Sequence, residues 1–280
     1  MDGLVTSTQL EHIADHEWQA ELTQAWALWS PAGGFLTSLA MRAAGAATAF
    51  PRPISFACQF LRRAAFEPVR LQVTSLQKGR RTEALRIDMI QTDKLIMTAQ
   101  VWVGADGMDG MVHDDISHLP PLPDPETLPD YKRIYPDRPM PAFFDRFDHR
   151  PINPVLQGDT NVYPAQLEGL FRFVPAEPTD DAFVDAGRIM VLIDTYAWLA
   201  TYPAHPSDGP SPWIAPNLDF YYRFHRPTVG EEWLHMINKA DLAEGGLIAV
   251  SGAVRNRRGE LLARGVSQLV CLPRPVPKTG

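Results

Sequence analysis

The stretch VLIDTYAWLA, residues 191–200, contains one carboxylate, Asp194, in a run that is otherwise apolar or aromatic apart from Thr195. A buried, unpaired carboxylate is costly, so such a residue normally has either a partner or a chemical task. One interpretation is a helix N-cap, because Asp is favoured there and its charge suits the helix dipole. The other is catalysis, because a carboxylate facing a cleft can act as a general base.

The elements around Asp194 indicate an internal duplication. Residues 58–90 and 222–254 share the order strand, Gly-bearing turn, strand, short turn, strand. The shared identities, at one offset of about 164, are Phe60 with Phe224, Arg62 with Arg226, and Glu67 with Glu231. Alternating segments around tight turns are typical of antiparallel hairpins, so each copy is predicted to end in a meander of long strands.

One helical stretch precedes each meander: residues 33–47, which open with Gly33-Gly34, and residues 185–203. A mostly apolar helix flanked by strands is expected to be enclosed by a sheet. We therefore predict an α+β fold, a double hotdog, in which two antiparallel sheets each wrap around a long central helix. The predicted domains are an N-terminal hotdog (1–105), a Pro-rich linker (106–140) and a C-terminal hotdog (141–280).

Composition excludes several functional classes. A net charge of −7 and a pI near 5.6 argue against nucleic acid as a partner. The sequence has no long basic run, no signal-peptide pattern and no apolar run of about 20 residues. We therefore expect no binding to an anionic membrane surface, no secretion and no membrane insertion. The two cysteines form neither a disulfide framework nor a metal motif, which favours the cytoplasm. No GxSxG, GxGxxG or Walker motif occurs, and no cofactor or metal is predicted.

Three stretches together resemble the acyl-CoA thioesterase II family and its thioesterase-like relatives. They are WSPAGGFLTSLAMRAA (29–44), VLIDTYAW (191–198) and APNLDFYYRFHRP (215–227). The resemblance spans most of the chain outside the Pro-rich linker, and the order and spacing of the stretches make it specific. It implies hydrolysis of acyl-CoA thioesters to a free carboxylic acid and coenzyme A.

The resemblance also implies roles for individual residues. Asp194, expected at the start of the second hotdog helix, would position and activate the hydrolytic water. In the family this Asp works with a Ser or Thr and a Gln. Asn217 occupies the hydroxyl position here, and an amide can also orient a water. For the glutamine we predict Gln268, with Ser267 as the alternative because Ser267 lies in strict register and side chains alternate along a strand.

Further residues are weaker candidates. Backbone N–H groups at a helix start suit a developing oxyanion, so Gly33 and Gly34 are predicted to contact substrate. Trp198 and Tyr221 are candidates to line an acyl pocket. Basic clusters at 61–63, 78–81 and 255–258 are either exposed turns or contacts for the phosphates of coenzyme A.

The sequence is also compatible with functions other than thioester hydrolysis. One is a non-catalytic acyl-CoA or lipid binder on the same fold, which Asn217 in place of a hydroxyl residue favours. Another is a hotdog hydratase or dehydratase that uses His225, although His225 is also explained as a structural residue at the sheet edge. Acyl transfer to a small acceptor is a third. The resemblance further implies a homodimer or higher homo-oligomer.

Overall fold

The computed structural model describes residues 2–114, 120–134, 140–156, 158–206 and 211–274. Mixed α and β structure is confirmed, with most strands of the described residues in one antiparallel sheet. The strands are β1 Glu11–Ala14, β2 Glu17–Ala20, β3 Arg52–Phe60, β4 Val69–Lys78, β5 Thr82–Gln91, β6 Lys94–Gly104, β7 Phe147–Ile152, β8 Gln166–Phe173, β9 Trp213–Ile214, β10 Asp219–Phe224, β11 Leu234–Glu244, β12 Leu247–Arg255, β13 Leu261–Val270 and β14 Leu272–Pro273. Twelve of them hydrogen-bond in the order β1-β2-β4-β5-β6-β3-β10-β13-β12-β11-β8-β7.

The expectation of two separate sheets is corrected to one continuous sheet. Strands β3 and β10 pair antiparallel, with Phe56 opposite Tyr222 and Cys58 opposite Phe220. This pairing joins the meander of the first copy to that of the second. Because a hotdog sheet has open edges, pairing two edge strands satisfies backbone groups that would otherwise be unpaired.

Two long helices lie inside this sheet. The α-helices are α1 Leu4–Ser7, α2 Gly33–Ala47, α3 Tyr131–Ile134 and α4 Ala182–Tyr196. Short 3-10 segments cover Gln24–Trp26, Pro125–Thr127, Ala142–Arg146 and Leu199–Ala204. Helices α2 and α4, each of 15 residues, pack directly against each other, so their apolar surfaces form one core with the inner face of the sheet.

Helix α4 begins earlier than the sequence prediction placed it. Its N-cap is Asp181, whose side chain accepts hydrogen bonds from the N–H groups of Phe183 and Val184. Asp194 is therefore the thirteenth of fifteen residues, close to the C-terminal end. The predictions that Asp194 starts the helix, or caps it, are wrong because Asp181 already supplies the cap.

A close crossing of the two helices sets the position of the site. A Cβ atom added at Gly34 would lie 2.6 Å from the Val191 Cα atom, closer than any side chain permits. Glycine at this position lets the N-terminal end of α2 touch the backbone of α4. Around the crossing, Phe35, Leu39 and Met190 are fully buried. Burial of each such side chain is worth about 1.5–3 kcal/mol.

The Pro-rich region packs on the C-terminal half. The Leu128 carbonyl accepts a hydrogen bond from Arg150 Nη1 at 3.1 Å. The Tyr131 ring stacks on the His149 imidazole with centroids 4.7 Å apart. These contacts hold residues 128–131 of the linker against β7.

Candidate active site

The Asp194 carboxylate lies at the N-terminal end of the other helix. Its Oδ2 accepts a hydrogen bond from the Gly34 N–H at 2.6 Å, and its Oδ1 accepts one from Asn217 Nδ2 at 2.8 Å. Asp194 is 7% exposed. Because each carboxylate oxygen has two acceptor positions, each keeps one for a further donor such as water. The carboxylate that was expected to cap α4 therefore binds the first turn of α2.

A chain of side-chain hydrogen bonds supports this carboxylate. The Ser267 hydroxyl lies 2.8 Å from Asn217 Oδ1 and 2.7 Å from the Asp219 carbonyl oxygen, either of which can accept its proton. An ionised carboxylate only accepts, so Asn217 must turn its Nδ2 toward Asp194 and its Oδ1 toward Ser267. Helix α4, strand β13 and the segment just before β10 thus position a Ser-Asn-Asp array.

The side chain of Gln268 does not join this array. Along β13 the buried residues Ser267 and Leu269 flank Gln268 on the inner face, so Gln268 points to the outer face. Asn217 pairs with Leu269, and Tyr221 pairs with Val266. The segment 217–221 is one residue longer than the opposite segment 266–269, so the extra residue lies in the segment that contains Asn217 and not in β13. A bulge that could rotate Gln268 inward is therefore absent from this described part of β13. The alternative, Ser267, hydrogen-bonds to Asn217, which in turn contacts Asp194.

Burial sets the acidity of the site. Desolvation raises the pKa of Asp194 to about 6, while hydrogen bonds from Gly34 and Asn217 act in the opposite direction. The carboxylate is therefore mostly ionised at neutral pH and a stronger base than an exposed Asp. The Phe60 ring lies 3.3 Å from where a Gly33 Cβ would be, so the surroundings of the Asp194 carboxylate are partly apolar.

Of the other predicted residues, three lie close to Asp194 along the chain or in space, and Tyr221 does not. Gly33 and Gly34 form the first turn of α2 beside Asp194, and Trp198 follows Asp194 by one helical turn. Tyr221 lies on the outer face of the sheet and is 39% exposed, because its neighbours Phe220 and Tyr222 face the helices. Tyr221 therefore cannot line a pocket at Asp194 of its own chain.

His225 is also distant from the carboxylate. It follows Asn217 by eight residues, which at about 3.3 Å per residue corresponds to roughly 26 Å along the strand direction. Burial, and then the charge of Arg226, lowers the pKa of His225. The geometry gives His225 no contact with Asp194.

The first copy lacks the polar groups of the second. Gly45 is the thirteenth residue of α2, as Asp194 is of α4, and Phe183 occupies the place that corresponds to Gly34. The pairing of β3 with β6 contains the same one-residue shift, between Pro53 and Ser55. In the two aligned copies, Pro53 therefore corresponds to Asn217 and Val101 corresponds to Ser267. A surface cleft of about 310 Å³ beside Gly45 contains none of the Asp194 array. The position in the first copy that corresponds to Asp194 therefore holds no carboxylate.

In the parts of the chain that the structure describes, no group of three or more His, Cys, Asp or Glu side chains could hold a metal ion. Over those same parts, no helix has the length and apolar character required to cross a bilayer.

The fold and site define a double-hotdog protein with a carboxylate at the helix crossing, and comparison with known proteins gives the family. Residues 22–104 match the model of the acyl-CoA thioesterase N-terminal domain, and residues 116–271 match that of the acyl-CoA thioesterase C-terminal domain. The chain therefore belongs to the acyl-CoA thioesterase family, whose reaction is thioester hydrolysis. A search of curated proteins gave no significant match.

Solved structures share the fold over nearly the whole chain. A tesB protein from Mycobacterium avium subspecies paratuberculosis is 24% identical with a TM-score of 0.77, covering 96% of this chain and 98% of its own. The acyl-CoA thioesterase II TesB2 from Mycobacterium marinum is 19% identical with a TM-score of 0.79, covering 97% and 99%. A hotdog protein of unknown function from Alicyclobacillus acidocaldarius is 18% identical with a TM-score of 0.81, covering 98% of both chains.

Proposed function

We propose that Asp194 activates the water that hydrolyses an acyl-CoA thioester, giving a carboxylic acid and coenzyme A. The observation that carries this proposal is the Asp194 carboxylate itself, which accepts amide hydrogen bonds from Gly34 and Asn217 and has a pKa near 6. Asn217 orients Asp194, and Ser267 orients Asn217. General-base assistance of this kind contributes about 10²–10⁴-fold to the rate.

The chemical step requires no covalent intermediate on the protein. Water attacks the thioester carbonyl carbon while its proton moves to Asp194, and the carbonyl oxygen becomes an oxyanion. The Gly33 N–H, at the first helical position of α2, is one of the amides that a helix leaves without an intrahelical acceptor. We assign it as an oxyanion donor, aided by the positive end of α2. Collapse of the intermediate breaks the C–S bond, and the proton on Asp194 neutralises the departing thiolate.

The test is hydrolysis of a panel of acyl-CoA thioesters of different chain length in water enriched in oxygen-18. Thiol release with one heavy oxygen in the acid is the expected result. Acyl-CoA binding without thiol release would instead support the non-catalytic binder, the alternative that Asn217 in place of a hydroxyl residue favours. Thiol release only with a small acceptor, and without heavy oxygen in the product, would indicate acyl transfer.

We further propose a homo-oligomeric, cytoplasmic enzyme. An exposed apolar strip on the outer sheet face supports association, since Tyr221 and Val266 are paired neighbours that are 39% and 52% exposed. Cys58 and Cys271 are free thiols, which suits a reducing compartment. Light scattering of the purified chain tests the first point, with a monomeric mass as the contradicting result.

A further inference from the structure

Four side chains at the same end of the helix pair form a continuous surface array of two indoles between two arginines. Arg63 Nη2 donates a hydrogen bond to the Trp29 carbonyl oxygen. The indole rings of Trp29 and Trp198 meet edge to face, with centroids 5.8 Å apart. The Arg274 guanidinium carbon lies 6.0 Å from the centroid of the Trp198 ring.

The array lies at the protein surface close to the Asp194 site. Trp29 precedes Gly33 by four residues, and Trp198 follows Asp194 by four residues. Arg63 follows Phe60 by three residues, and the Phe60 ring borders Gly33. All three segments therefore leave the site at the same end and meet at the surface, where Trp29 is 43% exposed.

The two arginines keep their positive charge available. Arg63 and Arg274 are exposed. The Arg274 Nε atom donates to the Ser211 carbonyl oxygen at 2.7 Å, as Arg63 does to that of Trp29. A carbonyl oxygen fixes a guanidinium in place without neutralising it. On a protein with a net charge of −7, this local positive charge attracts an anion toward the array.

We propose that Arg63, Trp29, Trp198 and Arg274 bind the 3′-phosphorylated ADP portion of coenzyme A. This assignment rests on the proposed function of the Asp194 site. Guanidinium groups bind phosphates through charge-assisted hydrogen bonds, and an exposed indole offers a face on which a purine stacks. An acyl chain is a poor occupant, because two charged groups border the surface and their desolvation is costly. The array holds the nucleotide end of the substrate while the thioester reaches Asp194.

A comparison of two substrates tests the proposal: an acyl-CoA and the N-acetylcysteamine thioester of the same acid, which has no nucleotide. Arg63→Gln and Arg274→Gln are expected to raise KM for the acyl-CoA about tenfold each, since each removes a charged hydrogen bond. The truncated thioester should be hydrolysed as by the wild type. Arg86→Gln, at an exposed position of β5 outside the basic clusters, is the control and should change hydrolysis of neither substrate. Equal effects on both substrates, or no effect on either, would overturn the assignment.

A binding measurement tests this proposal independently of the hydrolytic mechanism. Adenosine 3′,5′-bisphosphate is expected to bind the wild type in calorimetry and to quench indole fluorescence. Arg63→Gln should weaken binding about tenfold, and Arg63→Lys should restore part of it. Absence of binding to the wild type would refute the array even if hydrolysis is observed. Binding that the variants weaken would support the array even if Asp194 proves dispensable.

Discussion

The Gly34 N–H donates a hydrogen bond of 2.6 Å to Asp194 Oδ2 across a sequence separation of 160 residues. The amide belongs to the helix of the first hotdog, and the carboxylate to the helix of the second. The first hotdog supplies the amide and the second supplies the Ser-Asn-Asp array, so neither half holds the whole site alone. The duplicated fold is what places a helix N-terminus beside a buried acid.

Gly34→Ala is expected to push α2 away from α4 and so to distort the site. The added methyl group would lie 2.6 Å from the Val191 Cα atom, a backbone atom that cannot move independently of α4. We expect a loss of about 1–3 kcal/mol in the free energy of unfolding, together with a fall in thiol release. Gly110→Ala is the control, because no atom lies within 4 Å of its added Cβ. Equal stability and activity in both variants would contradict the close helix crossing.

The pH dependence of hydrolysis should follow Asp194. Because the base must be ionised, kcat/KM is expected to rise with pH through a pKa of about 6 and then level off. The same shift affects stability with a definite sign. Since the pKa of Asp194 is raised on folding, its contribution to the free energy of unfolding is full below pH 3.8 and is lost as pH rises through about 6.

Rate profiles and denaturation curves between pH 4 and 8 check both parts of this prediction. In Asp194→Asn, the pH dependence of stability across that window should be reduced relative to the wild type. A rate profile that is flat through pH 6, in an enzyme that stays folded, would exclude Asp194 as the base.

Ser267 and Gln268 provide a matched pair on adjacent positions of one strand. Ser267→Ala removes the hydroxyl bonded to Asn217 Oδ1 at 2.8 Å, so Asn217 loses its fixed orientation. We expect a fall in kcat of roughly tenfold, the value of about one hydrogen bond. Gln268→Ala changes an outward-facing side chain and should leave kcat within about twofold. Thiol release under saturating substrate measures both, and the opposite ranking would reinstate Gln268.

His225→Ala discriminates between hydrolysis and the hydratase alternative. His225 has no contact with Asp194, so thiol release should stay within about twofold of the wild type. Assays for hydration of an enoyl-CoA by both proteins complete the test. Hydration by the wild type that disappears in His225→Ala would favour the dehydratase mechanism.

Local sequence patterns predicted much of the fold. Helix α2 spans Gly33–Ala47, as its apolar spacing indicated, and the hairpin of β4 and β5 surrounds the predicted turn at residues 77–80. The continuous sheet was not predictable, because the β3–β10 pairing joins strands that are far apart in the chain. The start of α4 was missed although Asp181, immediately before an apolar run, is an available N-cap signal.

The sequence predicted the central residues of the site but not the hydrogen bonds that connect them. Asp194 and Asn217 do meet, but nothing local shows that the acid lies against Gly34 rather than at the start of its own helix. The choice between Ser267 and Gln268 depended on where the extra residue lies between β10 and β13. The registers put it on the Asn217 side, a detail of strand pairing that one sequence does not contain.

Asp194→Asn, assayed by thiol release with the acyl-CoA that the wild type hydrolyses fastest, tests the central claim most directly. The variant should fold, because Asn217 can turn its amide over and donate to Ser267 while accepting from residue 194. Asp241→Asn, on an exposed hairpin beside Lys239, is the matched control. The account predicts a loss of about 10²–10⁴-fold in kcat for Asp194→Asn and none for the control. A folded Asp194→Asn enzyme with kcat close to that of the wild type would contradict it.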